Sequence, residues 1–226
     1  MLQAESELMS EALDDVFGWE LLQLGTWGPR AALLSGCRTR RHAVIAHRGV
    51  ASADADVAAR LSQLPIANGA VDAVVLPHTL EFETDPYAIV READRVLAGE
   101  GQLVVLGFRP FSLWGFRSRA ISRGYPPGLK RMLGAGRIAD WLELLGYDVS
   151  LTRKYLFTPP WGGSAPRPEV PSALLRRGWI NPWPAGAYLI KARKRVYTLT
   201  PIRPKSRERT QPIGGLVKPS STRSSS

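Results

Sequence analysis

Three stretches of the 226-residue chain bring together side chains capable of chemistry. In "LLQLGTWGPRA", residues 21–31, an apolar run leads into Gly25 and Gly28, placed where a loop that cradles a phosphate or a nucleoside needs its glycines. Trp27 and Pro29 stand where such loops carry more glycine. The second stretch is the run "VDAVVLPH", which ends on Leu76, Pro77 and His78. Histidine alone has an unperturbed pKa near neutrality, so His78 is the candidate general base. The competing reading is that it caps the next helix or bonds backbone. The third stretch, residues 109–137, holds Arg109, Arg117, Arg119, Arg123, Lys130, Arg131 and Arg137 without one acid, interleaved with Phe111, Trp114, Phe116 and Tyr125. It reads as a lid for an anionic or aromatic substrate, with Arg109 and Trp114 as substrate contacts, or as a cover that pairs with an acidic N-terminal helix.

Other chemistries are excluded. His42, His47 and His78 lack the paired spacing of metal ligands, and no metal site is expected. The G-x-S-x-G elbow of a serine hydrolase is absent. "GTWG" lacks the G-x-G-x-x-G spacing of a nicotinamide dehydrogenase.

The elements that must position these groups follow from periodicity. Leu8, Ala12, Leu13 and Val16 predict a helix over residues 5–20 with acids between them. "LLQL" (21–24) is a strand, followed by a short helix from about Pro29 to Ser35, with Pro29 suited to its first turn. "HAVIAH" (42–47) and "VDAVVL" are further strands, and 56–63 is a short helix or loop. Thr84 or Asp85 caps a helix opened by Pro86, whose Ala88, Ile89, Ala93, Val96 and Leu97 share a face. "GQLVVLGF" (101–108) is apolar throughout, as a strand covered on both faces must be. "RIADWLELLGYDVSLTRKYLF" gives a helix, a stop at Gly146 and a strand, and residues 186–196 give the last strand. Strands alternating with helices imply an α/β fold, a mostly parallel sheet with helices on both faces. The loop between the last two strands shows no crossover helix, so they form an antiparallel pair at the sheet edge.

One domain is expected over residues 1–199, with an acidic helix at 1–20 and the lid at 109–137. Residues 200–226 form a basic, Ser/Pro-rich tail without a core-forming pattern. The net charge is +10, and ten cations against Glu208 in residues 191–226 carry nearly all of it. Such a tail binds nucleic acid through counterion release, or simply keeps the protein soluble. The single cysteine, Cys37, fits a reducing compartment. The acidic N-terminus lacks a secretory pattern, and no apolar run reaches membrane-spanning length. A cytoplasmic location is expected.

The order of elements, and above all residues 64–108, resembles the class I S-adenosylmethionine-dependent methyltransferase superfamily. Leu64, Pro65, Asp72, Leu80, Glu81, Asp85, Arg91, Glu92, Arg95, Val96, Leu97 and Gly101 fall on its pattern at matching spacing. "GFRPFSLWGFR" and "GAYLIKARKRVYTLTPIRP" resemble a small bacterial branch of it. The resemblance implies a Rossmann-like sheet ending in an antiparallel pair, S-adenosylmethionine as cofactor and an unnamed methyl acceptor. It assigns the cofactor to Gln23, Gly25, Thr26, Trp27, Gly28, His47, Leu76 and Pro77. Here the chain departs from the family: Gln23 replaces an acid before the loop, Trp27 and Pro29 replace glycines, and His47 replaces the ribose-gripping carboxylate. Arg60 or Leu61 lies where an acid near the adenine is usual. A hydrogen bond to a charged group is worth ~1.5–3 kcal/mol net. Losing two at the ribose would weaken binding by roughly two to four decades, less what Gln23 and His47 restore. Trp27 either walls the adenosine or plugs an empty site. The expected function is accordingly a methyltransferase, against an inert methyltransferase-like binding module or an RNA-binding protein acting through its tail.

Overall fold

In a computed structural model, which describes residues 1–29, 32–49, 53–120, 126–157 and 185–195, seven strands form one sheet in the order β3-β2-β1-β4-β5-β7-β6. The strands are β1 (Glu20–Leu24), β2 (Arg41–His47), β3 (Val57–Ala59), β4 (Val71–Pro77), β5 (Leu97–Phe108), β6 (Tyr147–Tyr155) and β7 (Ala187–Lys194). The first five are parallel. β7 runs antiparallel to both β5 and β6, which places the expected antiparallel pair at the edge.

Helices cover both faces, as buried strands on each side require. On one face lie α3 (Pro86–Val96) and α5 (Ala135–Leu144), packed through Ile89, Val90, Ala93, Val96, Ile138 and Leu142. Asp85 starts α3 by accepting the Ala88 N–H at 3.1 Å, and Pro86 takes the first helical position. On the other face lies α1 (Leu2–Leu13), which buries Met9, Ala12 and Leu13. A single 3-10 turn, Ala32–Leu34, stands where a short helix from Pro29 to Ser35 is expected. Between β1 and β2, α1 covers the face that a crossover helix would otherwise take. Glu11 of α1 pairs with Arg153 of β6, and Asp14 and Asp15 just beyond the helix pair with Arg38 and Lys191.

Two further differences have local causes. Val57–Ala59 is strand, because Ile45–His47 leave an open parallel edge that three residues can extend. Only Ala59 of its three residues is buried, and the run is too short to show an alternation. The N-terminal helix ends at Leu13, before the adjacent Asp14 and Asp15, whose charges oppose the negative end of a helix dipole.

The residues of the 64–108 pattern hold this frame together. Glu92 accepts the Leu64 N–H at 2.5 Å, while Arg95 donates to the Leu64 carbonyl at 3.1 Å and to Glu92. Asp72 accepts the N–H groups of Trp19 and Glu20 at 2.6 and 3.0 Å, fixing where β1 begins. No helix among the described residues is long and apolar enough to cross a membrane. The chain divides at Val196, and the expected tail lies outside the described residues.

Candidate functional site

In an open parallel sheet, ligands bind beyond the carboxyl ends of the strands, where the strand order reverses. Here that point lies between β1 and β4. Gly25 turns the chain out of β1 with φ of 89°, and a Cβ there would meet Thr79 Oγ1 at 2.6 Å. Only glycine lets the loop approach the β4 end so closely. Thr79 holds it by donating to the Leu24 carbonyl. Gln23 donates to the Gly25 carbonyl at 3.0 Å, and its own buried Oε1 has no partner among the described residues.

Beyond the turn, Trp27 folds back across the carboxyl ends of β4 and β5. Its ring lies 4.5 Å from the His78 ring and 6.0 Å from those of Phe82 and Phe108, and its Nε1–H donates to Glu5 Oε2 at 2.9 Å. Gly28 leaves room for Leu2 of α1. The first turn of α1 therefore closes over the loop.

His78 sits under Trp27, fully buried, and stacks on Phe108 at 4.1 Å. It is in the left-handed region, φ of 55°, ahead of the four-residue helix α2 (Thr79–Phe82). Its Nδ1 lies 3.1 Å from Glu81 Oε2 and its Nε2 3.2 Å from Glu5 Oε1. Tyr155 donates to Glu5 Oε1 at 3.1 Å, and the Phe108 N–H donates to Glu81 Oε1 at 2.5 Å. Burial works against a charged imidazole, but hydrogen bonds to Glu5 and Glu81 and their charges outweigh it and raise the His78 pKa. Burial likewise pushes the Glu5 carboxyl up; the bonds from His78, Trp27 and Tyr155 more than reverse this and hold it low. At Glu81 burial prevails and the pKa rises. Burial also drives the Tyr155 hydroxyl well above its ordinary value.

This geometry corrects the general-base expectation. A base needs a free nitrogen at the substrate, whereas His78 has no solvent access and both its nitrogens face carboxylates. Leu76 and Pro77 are also inside the molecule, Leu76 in the core, so they back the site rather than line it.

A separate open cleft of about 470 Å³ lies at the ends of β2 and β3, lined by His47, Arg48, Arg60, Leu61, Ser62, Glu83, Thr84, Asp85, Ala88 and Ile89. His47 Nδ1 is 2.9 Å from Glu83 Oε1. A carboxylate from the loop after α2 thus stands beside the histidine at the end of β2. Leu61 and Ile89 give the cleft an apolar wall. Of the expected cofactor residues only His47 lines it; Gln23, Gly25, Thr26, Trp27 and Gly28 belong to the neighbouring loop.

Arg109 and Trp114 stand past the end of β5. Trp114, on α4 (Leu113–Ala120), is buried and stacks on Phe108 at 6.3 Å; Arg109 is half-buried and its N–H donates to Gly186 O. Arg123 and Tyr125 lie outside the described residues. Among the described residues no cluster of His, Cys, Asp and Glu is arranged to hold a metal.

Sequence reasoning missed Glu5, Glu83 and Tyr155 as site residues. For Glu5 a signal existed: it lies on the same stripe as Met9, Ala12 and Leu13, so an acid occupies an apolar position. Glu83 and Tyr155 become visible only when the fold brings β2 and α1 beside them.

A family model described as "Methyltransferase domain" matches residues 34–105. The chain is 31% identical over 201 residues to the uncharacterized protein YafS of Escherichia coli, covering 87% of this chain and 77% of YafS. It is 33% identical over 159 residues to the uncharacterized protein Rv2003c of Mycobacterium tuberculosis, covering 66% of this chain but 53% of that protein. Among solved structures, a possible histamine N-methyltransferase from Thermotoga maritima superposes with a TM-score of 0.62 at 15% identity, covering 86% of this chain and 89% of that one. The [4+2]-cyclase SpnF does so with a TM-score of 0.59 at 21% identity, over 85% and 80%. Likeness at these identities establishes the shared fold.

Proposed function

The chain belongs to the class I S-adenosylmethionine-dependent methyltransferase superfamily, and from that membership we propose that it binds S-adenosylmethionine, with the adenosine end in the His47–Glu83 cleft, and transfers its methyl group to an acceptor at the mouth beside Trp114. The observation that carries this reading is the cleft itself. A carboxylate can accept from both ribose hydroxyls, and Glu83 presents one beside His47. Leu61, Ala88 and Ile89 offer an apolar wall to a purine. At the neighbouring loop, Gln23 Oε1 is an acceptor without a partner among the described residues.

Bound, the cofactor supplies an electrophilic methyl group for direct displacement. The protein's part is to align the acceptor and exclude water. Phe108, Trp114 and Trp27 give the mouth aromatic walls, and Arg109 brings positive charge to its rim. Glu5 and His78 hold Trp27 in place, which is positioning work rather than proton transfer. In the arrangement described, the indole fills the space over β4 and β5. It has to leave the His78 face before an acceptor can enter.

A second reading rests on that same indole. If Trp27 never leaves, the chain is an adenosyl-ligand binder without transfer. Calorimetric titration with S-adenosylhomocysteine tests the first half of the proposal. Binding in the micromolar to hundred-micromolar range is expected, on the order of −5 to −8 kcal/mol. No heat and no thermal shift at millimolar ligand would overturn it. The acceptor is an anionic or aromatic compound on this reading, and the basic tail is a candidate nucleic-acid contact.

A further inference from the structure

Granted the methyl-transfer reading, in which Trp27 leaves the His78 face, the geometry points to the class of acceptor: a planar heteroaromatic compound with a ring N–H, held in the seat that the indole fills. The seat comes from α1, the end of β4, α2 and the end of β5. The His78 ring lies 4.5 Å from the Trp27 ring, and the Phe82 and Phe108 rings stand 6.0 Å away, Phe108 edge-on at 69°. Glu5 Oε2 accepts the indole N–H at 2.9 Å. Three rings thus meet a flat body, and one carboxylate oxygen meets a donor on its edge.

These groups are held by bonds that do not involve Trp27. Glu5, His78 and Phe108 are fully buried, and His78 stacks on Phe108 at 4.1 Å. The His78 nitrogens lie between Glu5 and Glu81, and Glu81 accepts the Phe108 N–H. Glu5 Oε1 faces His78 and accepts from Tyr155, which leaves Oε2 for the indole. A ligand that fills the seat excludes water from Oε2 and has to supply the donor itself, because an unpaired carboxylate oxygen is costly there. A hydrocarbon ring brings none. A phenol carries its donor one atom beyond the ring, whereas a ring N–H carries it at the edge, as the indole does. An anionic group at that edge would be repelled by Glu5.

Trp27 is the member of the set most free to move. It is only partly buried, and residues 25–29 lie outside helix and strand. Gly25 and Gly28 flank it with φ of 89° and 73°, backbone that glycine adopts without strain. The loop therefore carries its own occupant for the seat, which satisfies Glu5 until a ring of the same character replaces it.

Indole and benzothiophene test this, since they are close in size and shape and only indole has an N–H. In the Trp27→Ala variant of the full chain, indole should raise the melting temperature and bind at least about tenfold more tightly than benzothiophene, as one hydrogen bond to a charged group requires. Equal affinities would overturn the proposal, because shape alone would then govern the seat. In the wild type the tethered indole competes, so binding should be weaker than in the variant. It is read from the fluorine resonance of Trp27 in protein labelled with fluorotryptophan, assigned by its loss in Trp27→Phe. Indole should shift that resonance and leave that of the exposed Trp19 in place. A Trp27 resonance unmoved up to the solubility limit of indole would overturn the proposal even where the variant binds, and it decides alone if the variant does not fold. No cofactor is present in either experiment. Indole bound as described without any binding of S-adenosylhomocysteine would remove the methyl-transfer reading and leave the seat as a ligand site. The reverse pair of results would remove the seat and spare the cofactor.

Discussion

The turn at Leu64 and the mouth beneath Trp27 are both built on ionised side chains, and they use them differently. At the turn, Glu92 and Arg95 stay partly in water and spend their hydrogen bonds on the Leu64 backbone. Each loses little hydration, and each could be replaced at modest cost. At the mouth, Glu5, His78 and Glu81 are withdrawn from water altogether and bond chiefly to one another, to Trp27 and to Tyr155. Burying charge is tolerable only when every partner is in place. The turn is thus a clamp on the frame, whereas the mouth is a mutually dependent cluster joining α1, the glycine loop, β4 and β6.

The largest expected effect breaks that cluster. Glu81→Leu leaves the His78 Nδ1–H and the Phe108 N–H buried without an acceptor, and should destabilise the protein by about 3–5 kcal/mol. Glu92→Ala, at the clamp, should cost about 0.5–1.5 kcal/mol. Urea unfolding of both variants reads the difference, and equal losses would show that the two regions are not energetically distinct.

The pH dependence sharpens the same contrast. Glu5 titrates below its ordinary 4.5 in the folded state, so its contribution is present above that value and lost as pH falls through the lowered one. His78 titrates above its ordinary 6.5, so its contribution is complete below 6.5 and lost as pH rises through the raised value. Glu81, with a raised pKa, works against stability as pH climbs through its own range. The contributions of Glu5 and His78 are therefore both present between about 4.5 and 6.5, while that of Glu81 falls above 4.5, so the cluster stabilises less toward alkaline pH. The melting-temperature gap between wild type and His78→Phe should narrow as pH rises, while the gap for Glu92→Ala should vary far less across the same range.

Next in size is Trp27→Ala. Losing the ring contact with His78 and the bond to Glu5 should cost about 2–4 kcal/mol. The same change should tighten S-adenosylhomocysteine binding, because it empties the space over β4 and β5. Stability and affinity then move in opposite directions. If affinity falls together with stability, the indole is a wall of the ligand site and not its plug.

The contrast also explains what was legible beforehand. The clamp residues Leu64, Glu92 and Arg95 lie within the one span that resembles the methyltransferase pattern, so the resemblance singled them out. Apolar β4 and β5 were equally plain, since a strand buried on both faces carries a continuous apolar run. Trp27 and His78 were visible as departures or candidates, but not their partners. Glu5 is 73 residues from His78 and Tyr155 is 77, and no local periodicity encodes contacts at that range. His78 consequently read as a base, when its two nitrogens are committed to carboxylates that the sequence could not place beside it. β3 escaped for a different reason, since three residues, two of them exposed, are too short a run to show a period.

The smallest effect concerns the cleft, where His47 and Glu83 meet at the surface. Glu83→Gln replaces one carboxylate oxygen by a donor and removes the charge. Stability should change by less than about 0.5 kcal/mol, because a partly exposed pair contributes little. S-adenosylhomocysteine binding should weaken by about tenfold, or ~1.4 kcal/mol, if Glu83 is the group that accepts from the ribose. His47→Asp separates this from the alternative that the end of β2 is itself the ribose site. With Glu83 present, a second carboxylate beside it meets repulsion, so His47→Asp alone should bind no tighter than wild type. In the His47→Asp/Glu83→Gln double variant the new carboxylate stands unopposed, and affinity should return toward the wild-type value. A tenfold gain from His47→Asp alone would sink the assignment to Glu83. It would mean that the cleft still takes its ribose contact from the end of β2, and that Glu83 merely orients the histidine standing there.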